Sequence, residues 1–165
     1  MKNLLEQDKT VLSAALGTPA GFLAFGLGSG LSRHAPGTMG TLIAVPFALL
    51  LKMLPVAWFW VLLLLLFVLG IYLCGTTARR LGKHDPGGIV WDEMVGYWLT
   101  IAFVPAQWTW LLAAFVLFRL FDILKPWPIR QSERLFHGGL GIMIDDILAA
   151  LYAMVVLAGL RLLSG

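Results

Sequence analysis

The chain has 165 residues, 59% of them apolar and only 13% charged, with a mean hydropathy of +0.86 and a formal net charge of +3. Soluble domains carry about 25% charged residues, so a water-coated globule is excluded, as are a disordered chain and a fibrous repeat. The single cysteine, Cys74, excludes an intramolecular disulfide and a thiolate zinc cluster within the chain.

From the N-terminus, residues 3–16 predict a helix lying on a membrane surface. Glu6 and Asp8 stand where a cleaved signal would be basic. Thr18-Pro19 combines a capping hydroxyl with proline in the first turn, and predicts a second short helix to about Phe25. Five apolar runs follow: Met39–Leu54 with Pro46 inside, Val56–Cys74 without a charge, Met94–Val104, Trp108–Leu124 and Ile147–Leu163. A spanning helix needs about 20 apolar residues. The third run crosses only if it extends back through Trp91, which brings Asp92 and Glu93 to the bilayer rim. The expected fold is an all-α integral membrane protein: about five transmembrane or partly re-entrant helices plus an N-terminal surface helix. Residues 1–25 form the interfacial segment and residues 26–165 the membrane domain.

Ten basic residues (Lys2, Lys9, Arg33, Arg79, Arg80, Lys83, Arg119, Lys125, Arg130 and Arg134) fall on one side of this arrangement, and only Lys52 and Arg161 on the other. The basic side faces the cytoplasm, which puts the N-terminus inside and the C-terminus outside. Trp58, Trp60, Trp108 and Trp110 fall near the outer interface, Trp91 and Trp127 near the inner one. All nine acidic residues also fall on the cytoplasmic side, which orientation by basic residues does not require.

Asp92-Glu93, Asp122 and Asp145-Asp146 sit where loops meet spans. Carboxylates crowded at a membrane rim repel one another, and a cation relieves that repulsion. Their hard oxygens suit magnesium, manganese or calcium over zinc or copper. The competing structural reading makes them helix N-caps, Asp92 or Glu93 for the third span and Asp145 or Asp146 for the fifth. Arg119, Asp122 and Lys125 are three apart and share a helix face. They read either as an ion-pair ladder or as a metal ligand flanked by two groups for an anionic substrate. Lys125-Pro126-Trp127-Pro128-Ile129-Arg130 forms a stiff exit from that helix, and Arg130 adds a further cation for substrate.

Glycine runs at Gly26–Gly30, with Pro36-Gly37-Thr38, and at Gly138–Gly141 offer close backbone approach to a phosphate. Ser29, Thr38 and Gly139 are the candidate substrate contacts there. Tight turns or close helix packing explain the same glycines. Cys74 and Arg80 have the Cys-x5-Arg spacing of cysteine phosphatases, but Cys74 ends an apolar span and lacks a strand–loop–helix cradle. His34, His84 and His137 lack ligand spacing, and no Gly-x-Ser-x-Gly elbow is present.

Gly28–Ser32 with Pro36–Gly40, His84-Asp85, Ile89–Glu93, Phe118-Arg119 with Asp122, Lys125–Ile129 and His137–Asp146 together closely resemble the bacterial phosphatidylglycerophosphatase A family, over about Gly26 to Ala150. The family usually has proline where this chain has Arg33, so no role passes to Arg33 or His34. The resemblance implies a magnesium-dependent membrane phosphatase of phospholipid biosynthesis. Its substrate is phosphatidylglycerophosphate, its product phosphatidylglycerol, and its place the bacterial inner membrane with the site on the cytoplasmic side. Membrane lipids are the other expected partners, and nucleic acid is not one.

On that reading Asp92, Glu93, Asp122 and Asp146 are catalytic. The same four with Asp145 hold the metal, and Arg119, Lys125 and Arg130 offset phosphate charge. Attack by water activated at one or two magnesium ions is favoured, and a phospho-aspartyl intermediate is the alternative. Two other functions compete. A small cation-coupled transporter also uses broken spans and intramembrane carboxylates, but three of the spans here have apolar middles. A CDP-alcohol phosphotransferase needs an Asp-Gly-x-x-Ala-Arg block that is absent.

Overall fold

The computed structural model describes residues 2–164, with the side chains of 9–132 and 135–163. The sidedness reading at Lys2, Glu6, Asp8, Glu133 and Arg134 therefore rests on side chains outside the described set. The described residues form α1 (Lys2–Leu16), α2 (Pro19–Ala24), a 3-10 turn (Ser29–Leu31), α3 (Pro36–Leu51), α4 (Val56–Leu81), α5 (Trp91–Thr100), α6 (Trp108–Leu124), α7 (Ile129–Leu135) and α8 (Gly138–Ser164). No strand occurs among them.

The start of α2 follows its sequence signal. Thr18 is the N-cap, its Oγ1 accepts from the Gly21 N–H at 3.1 Å, and Pro19 fills the first turn. The first helix is not isolated on a surface: it packs against α2 and α4, and Ala15 is fully buried in the main core. Two helices, α4 and α8, are long and apolar enough to cross a membrane, with windows of mean hydropathy 2.6 and 2.1. Most of the α4 window faces outward through Trp58, Val61, Leu64, Leu65 and Val68. An apolar surface this extensive marks membrane association.

The short α5 is the hub, packed against α3, α4, α6 and α8. Nine of its ten residues are buried, Glu93 being the exception. A helix buried on nearly all sides belongs in an interior. At 1.5 Å per residue it is about 15 Å long, half of a ~30 Å hydrocarbon layer. It does start at Trp91, as the extended reading of the third run requires. It stops at Thr100, short of the predicted Val104. Its far end is closed by the two minority cations. Lys52 Nζ donates to the carbonyls of Ile101 at 2.9 Å and Ala102 at 3.1 Å, and Arg161 Nη1 donates to Phe103 O at 2.6 Å. Backbone groups left open beyond a helix end are expensive away from water, so these cations have a structural task.

The predicted start of the last span at Ile147 is corrected: α8 begins nine residues earlier, at Gly138. The glycine run is the first turn of a helix pressed onto α4. A Cβ on Gly139 would lie 1.9 Å from Ile71 O and 2.8 Å from Gly75 N, so the backbones approach closely because neither has a side chain there.

Candidate functional site

The longer α8 changes what Asp145 and Asp146 can be. They lie two turns inside the helix, so neither caps its N-terminus. At α5 the N-cap position belongs to Val90, which makes no side-chain cap bond. Asp92 and Glu93 occupy the first turn, where the positive helix end favours anions.

These two elements bring together Asp92, Glu93 and Asp146. One carboxylate oxygen from each lies within 4.8 Å of the others. Asp92 and Asp146 are buried, and Glu93 is half-buried. Each has one buried oxygen without a hydrogen-bond partner: Asp92 Oδ1, Glu93 Oε2 and Asp146 Oδ2. Such atoms cost free energy unless something binds them. Three carboxylates that converge and each keep an unpartnered buried oxygen fit a cation of the magnesium or calcium type. The cavity beside them is about 90 Å³ and is also lined by Asp85, Asp122, Lys125 and Asp145. Water takes roughly 30 Å³ per molecule, so an ion and a few oxygens fill it. Gly96 makes the convergence possible. It lies one turn after Asp92 on the same face, and a Cβ there would meet Phe118 at 2.7 Å and Asp146 Cβ at 3.1 Å.

The remaining predicted ligands, Asp122 and Asp145, line the same cavity and are held there by ion pairs and hydrogen bonds. Asp122 is paired with Arg119, which also reaches Glu93 Oε1 at 3.5 Å. Asp145 accepts from Ser132 Oγ at 2.9 Å and from Lys125 Nζ at 3.2 Å. Adjacent helical residues point about 100° apart, which is why Asp145 faces α7 while Asp146 faces α5. Of the Arg119–Asp122–Lys125 ladder, Arg119 and Asp122 form an ion pair that borders the carboxylate cavity, while Lys125 pairs with Asp145 instead.

Arg119 keeps a buried Nε–H without a partner. Arg130 Nη2 donates to Leu124 O at 3.3 Å. With Lys125, Trp127 and Gln131 it lines an outer cavity of about 340 Å³. Ser29 turns inward, its Oγ donating to Gly26 O at 2.8 Å. Thr38 sits in the first turn of α3 beside Gly37. Gly139 lies in the α4–α8 crossing. Cys74 is fully buried, its Sγ 3.9 Å from Met143 Sδ, with no phosphate cradle around it.

Sequence reasoning missed two residues as individuals. Ser132 is buried and fixes Asp145; nothing in a polar stretch distinguishes it. Gly37 abuts the ion pair: a Cβ there would stand 2.1 Å from Glu93 Oε1 and 2.9 Å from Arg119 Nη1. The glycine in Pro36-Gly37-Thr38 was its only signal.

The family model for phosphatidylglycerophosphatase A matches residues 22–161. The phosphatidylglycerophosphatase A of Escherichia coli is 46% identical over 93% of this chain and 91% of its own length. That of Haemophilus influenzae is 45% identical over 95% and 98%. A Bacteroides thetaiotaomicron protein named putative phosphatidylinositol-3-phosphatase is 40% identical over 85% and 92%. No solved structure matches the chain. The chain belongs to the phosphatidylglycerophosphatase A family, phosphatases of phospholipid biosynthesis whose substrate is the lipid phosphatidylglycerophosphate.

Proposed function

We propose that this phosphatidylglycerophosphatase hydrolyses its lipid phosphomonoester at the α5–α8 carboxylate cavity, with magnesium held by Asp92, Glu93 and Asp146. The convergence of three carboxylates, two buried and one half-buried, each with an unpartnered oxygen, carries this reading. Magnesium is bound through a few carboxylates and substrate phosphate oxygens, and when bound it polarises the phosphoryl group and promotes water as nucleophile. The residues of the chain do the rest. Arg119 holds Glu93 and Asp122 in place through its ion pairs, and its spare Nε–H is a donor for a phosphate oxygen. Glu93 is the carboxylate best placed to take a proton from water, because it is the least buried of the three. Lys125 and Arg130 put positive charge at the outer cavity, where an anionic headgroup arrives. Lys125 and Ser132 fix Asp145, whose contribution is to hold this wall rather than to meet the ion. Thr38 follows Gly37, the residue of α3 that abuts Glu93 and Arg119, and is the candidate hydroxyl for the same headgroup.

On this reading the protein sits in the bacterial inner membrane, with α3, α4, α6 and α8 crossing and α5 re-entrant. The N-terminus and the site face the cytoplasm. The excess of basic residues at the site end supports this orientation, as does the outward-facing apolar surface. The transporter alternative is less favoured because the carboxylates gather at one end of the bundle.

Purified protein, stripped with EDTA and assayed for phosphate release from phosphatidylglycerophosphate in micelles, tests the metal. Activity should vanish on chelation and return with magnesium. Full activity in EDTA would refute the metal role.

A further inference from the structure

We propose that a lateral groove on the opposite side of α5 seats an acyl chain of the lipid substrate. The proposal rests on the reading that the phosphomonoester binds at the carboxylate cavity. The groove is about 410 Å³, within the range of small-molecule sites. Its floor is Trp91, Met94 and Trp98, and its walls include Leu23, Leu62 and Leu66. Leu27, Phe47, Leu50 and Leu54 form an exposed rim.

The floor offers a guest nothing polar. Trp91 Nε1 donates to Leu66 O at 3.1 Å, and Trp98 Nε1 donates to Ala44 O at 2.9 Å. Both indoles therefore spend their only donors on the protein and turn apolar surface to the groove. The lining residues are all apolar, so an alkyl chain matches them and a headgroup does not.

The groove's place in the fold identifies the chain. Trp91, Met94 and Trp98 are spaced three and four apart, so they share one face of α5. Asp92, Glu93 and Gly96 lie on the other face at 100° per residue. Groove and carboxylates are thus separated by about one helix diameter, roughly 10 Å. Two of the helices that line the groove, α3 and α5, run away from the site. Gly37 of α3 touches Glu93, and Phe47 and Leu50 follow three to four turns later. Trp91 begins α5 beside Asp92, and Trp98 follows two turns later. The groove therefore starts level with the site and runs down the bundle axis. A phosphatidylglycerophosphate molecule has the same layout: a terminal phosphate, a linker of two glycerols and a phosphodiester, then chains. With the phosphate at the carboxylates, the linker passes over the N-terminal end of α5 and one chain drops into the groove. The exposed face of α4 at Leu64 and Leu65 lies outside this lining, and serves as a surface for bulk lipid.

The full-length protein in micelles is photolysed with a phosphatidylglycerophosphate analogue carrying a diazirine in one acyl chain. Label should concentrate on Phe47, Leu50 and Leu54, and about tenfold excess of unlabelled substrate over its dissociation constant should remove most of it. Phosphatidylcholine should not compete. Label at these residues no higher than at Leu64 and Val155, or label that substrate fails to displace, would overturn the proposal. In kinetics, Leu50→Trp should raise KM about 10-fold with kcat within twofold, the scale of a filled apolar subsite, while Leu64→Trp changes neither. Equal effects of the two substitutions, or none from Leu50→Trp, also overturn it. Asp92→Asn separates the two readings. It should label in the groove as wild type does, without turnover. Turnover by Asp92→Asn would instead remove the catalytic reading, and the labelling pattern would still decide the groove.

Discussion

Replacing Asp146 by asparagine should make the metal-free protein more stable and the enzyme inactive. The three carboxylates present oxygens within 4.8 Å of one another. At an effective dielectric of 20, two unit charges at that distance repel by about 3.5 kcal/mol. Asp146→Asn removes two of the three pairwise repulsions between ionised groups, and buried carboxylates relieve part of that repulsion by taking up protons, so the expected gain is about 1–3 kcal/mol. That is a measurable share of a total stability of about 5–15 kcal/mol. The amide keeps the shape, so packing at Gly96 is retained. Magnesium at a hundred times its dissociation constant stabilises a native site by about 2.7 kcal/mol, and the variant forfeits most of this. Thermal unfolding in detergent, followed by near-ultraviolet circular dichroism, should therefore show a variant that melts above wild type in EDTA. Added magnesium should raise the wild-type midpoint and leave that of the variant nearly unchanged. Phosphate release should fall by about three orders of magnitude or more, as expected when a group required by the reacting unit is lost. A wild-type midpoint indifferent to magnesium, together with near-normal turnover by the variant, would refute the reasoning.

Gly37→Ala tests the contact between α3 and the ion pair. Alanine is the better helix former by about 1 kcal/mol, yet its Cβ would stand 2.1 Å from Glu93 Oε1. The expected result is unchanged or improved helix content with kcat down about 100-fold, the scale of a ~1 Å misplacement; normal kcat would show that Glu93 and Arg119 can move without consequence. Cys74→Ser should keep near-normal turnover, because the thiol is buried against Met143; a loss of several decades would revive the cysteine-phosphatase chemistry. Lys52→Met should lower stability by about 1–3 kcal/mol, the scale of a buried acceptor left unpaired, since two carbonyls lose their donor; an unchanged melting midpoint would remove the capping role. In a Cys74→Ser background, single cysteines at Leu54, Lys83 and Ser164 test sidedness: impermeant reagent on intact cells should label the first and last only, and labelling at position 83 would reverse the orientation.

Composition alone points to an apolar environment, because so few charges cover a surface in water poorly. Apolar run length and Thr18-Pro19 place most helices, since both act through local backbone chemistry. The carboxylates announce themselves by residue type, because ionisable groups at a membrane rim need a reason to be there. The sequence motifs also point to the family that the comparisons then show. Periodicity could not reveal that the last helix starts at Gly138. Glycine weakens an isolated helix, and only the backbone of α4 at Ile71 and Gly75 makes glycine the residue required there. From that earlier start follow the end of the capping reading and the separation of Asp145 from Asp146. Which acids converge is likewise a matter of packing. Gly96 lets α8 close on α5, so Asp146 meets Asp92 and Glu93, while Lys125 and Ser132 hold Asp145 aside. The tasks of Lys52 and Arg161 were hidden for the same reason. Their partners are backbone carbonyls about fifty residues away in sequence, groups that every residue carries and that only a chain path through the bundle leaves open.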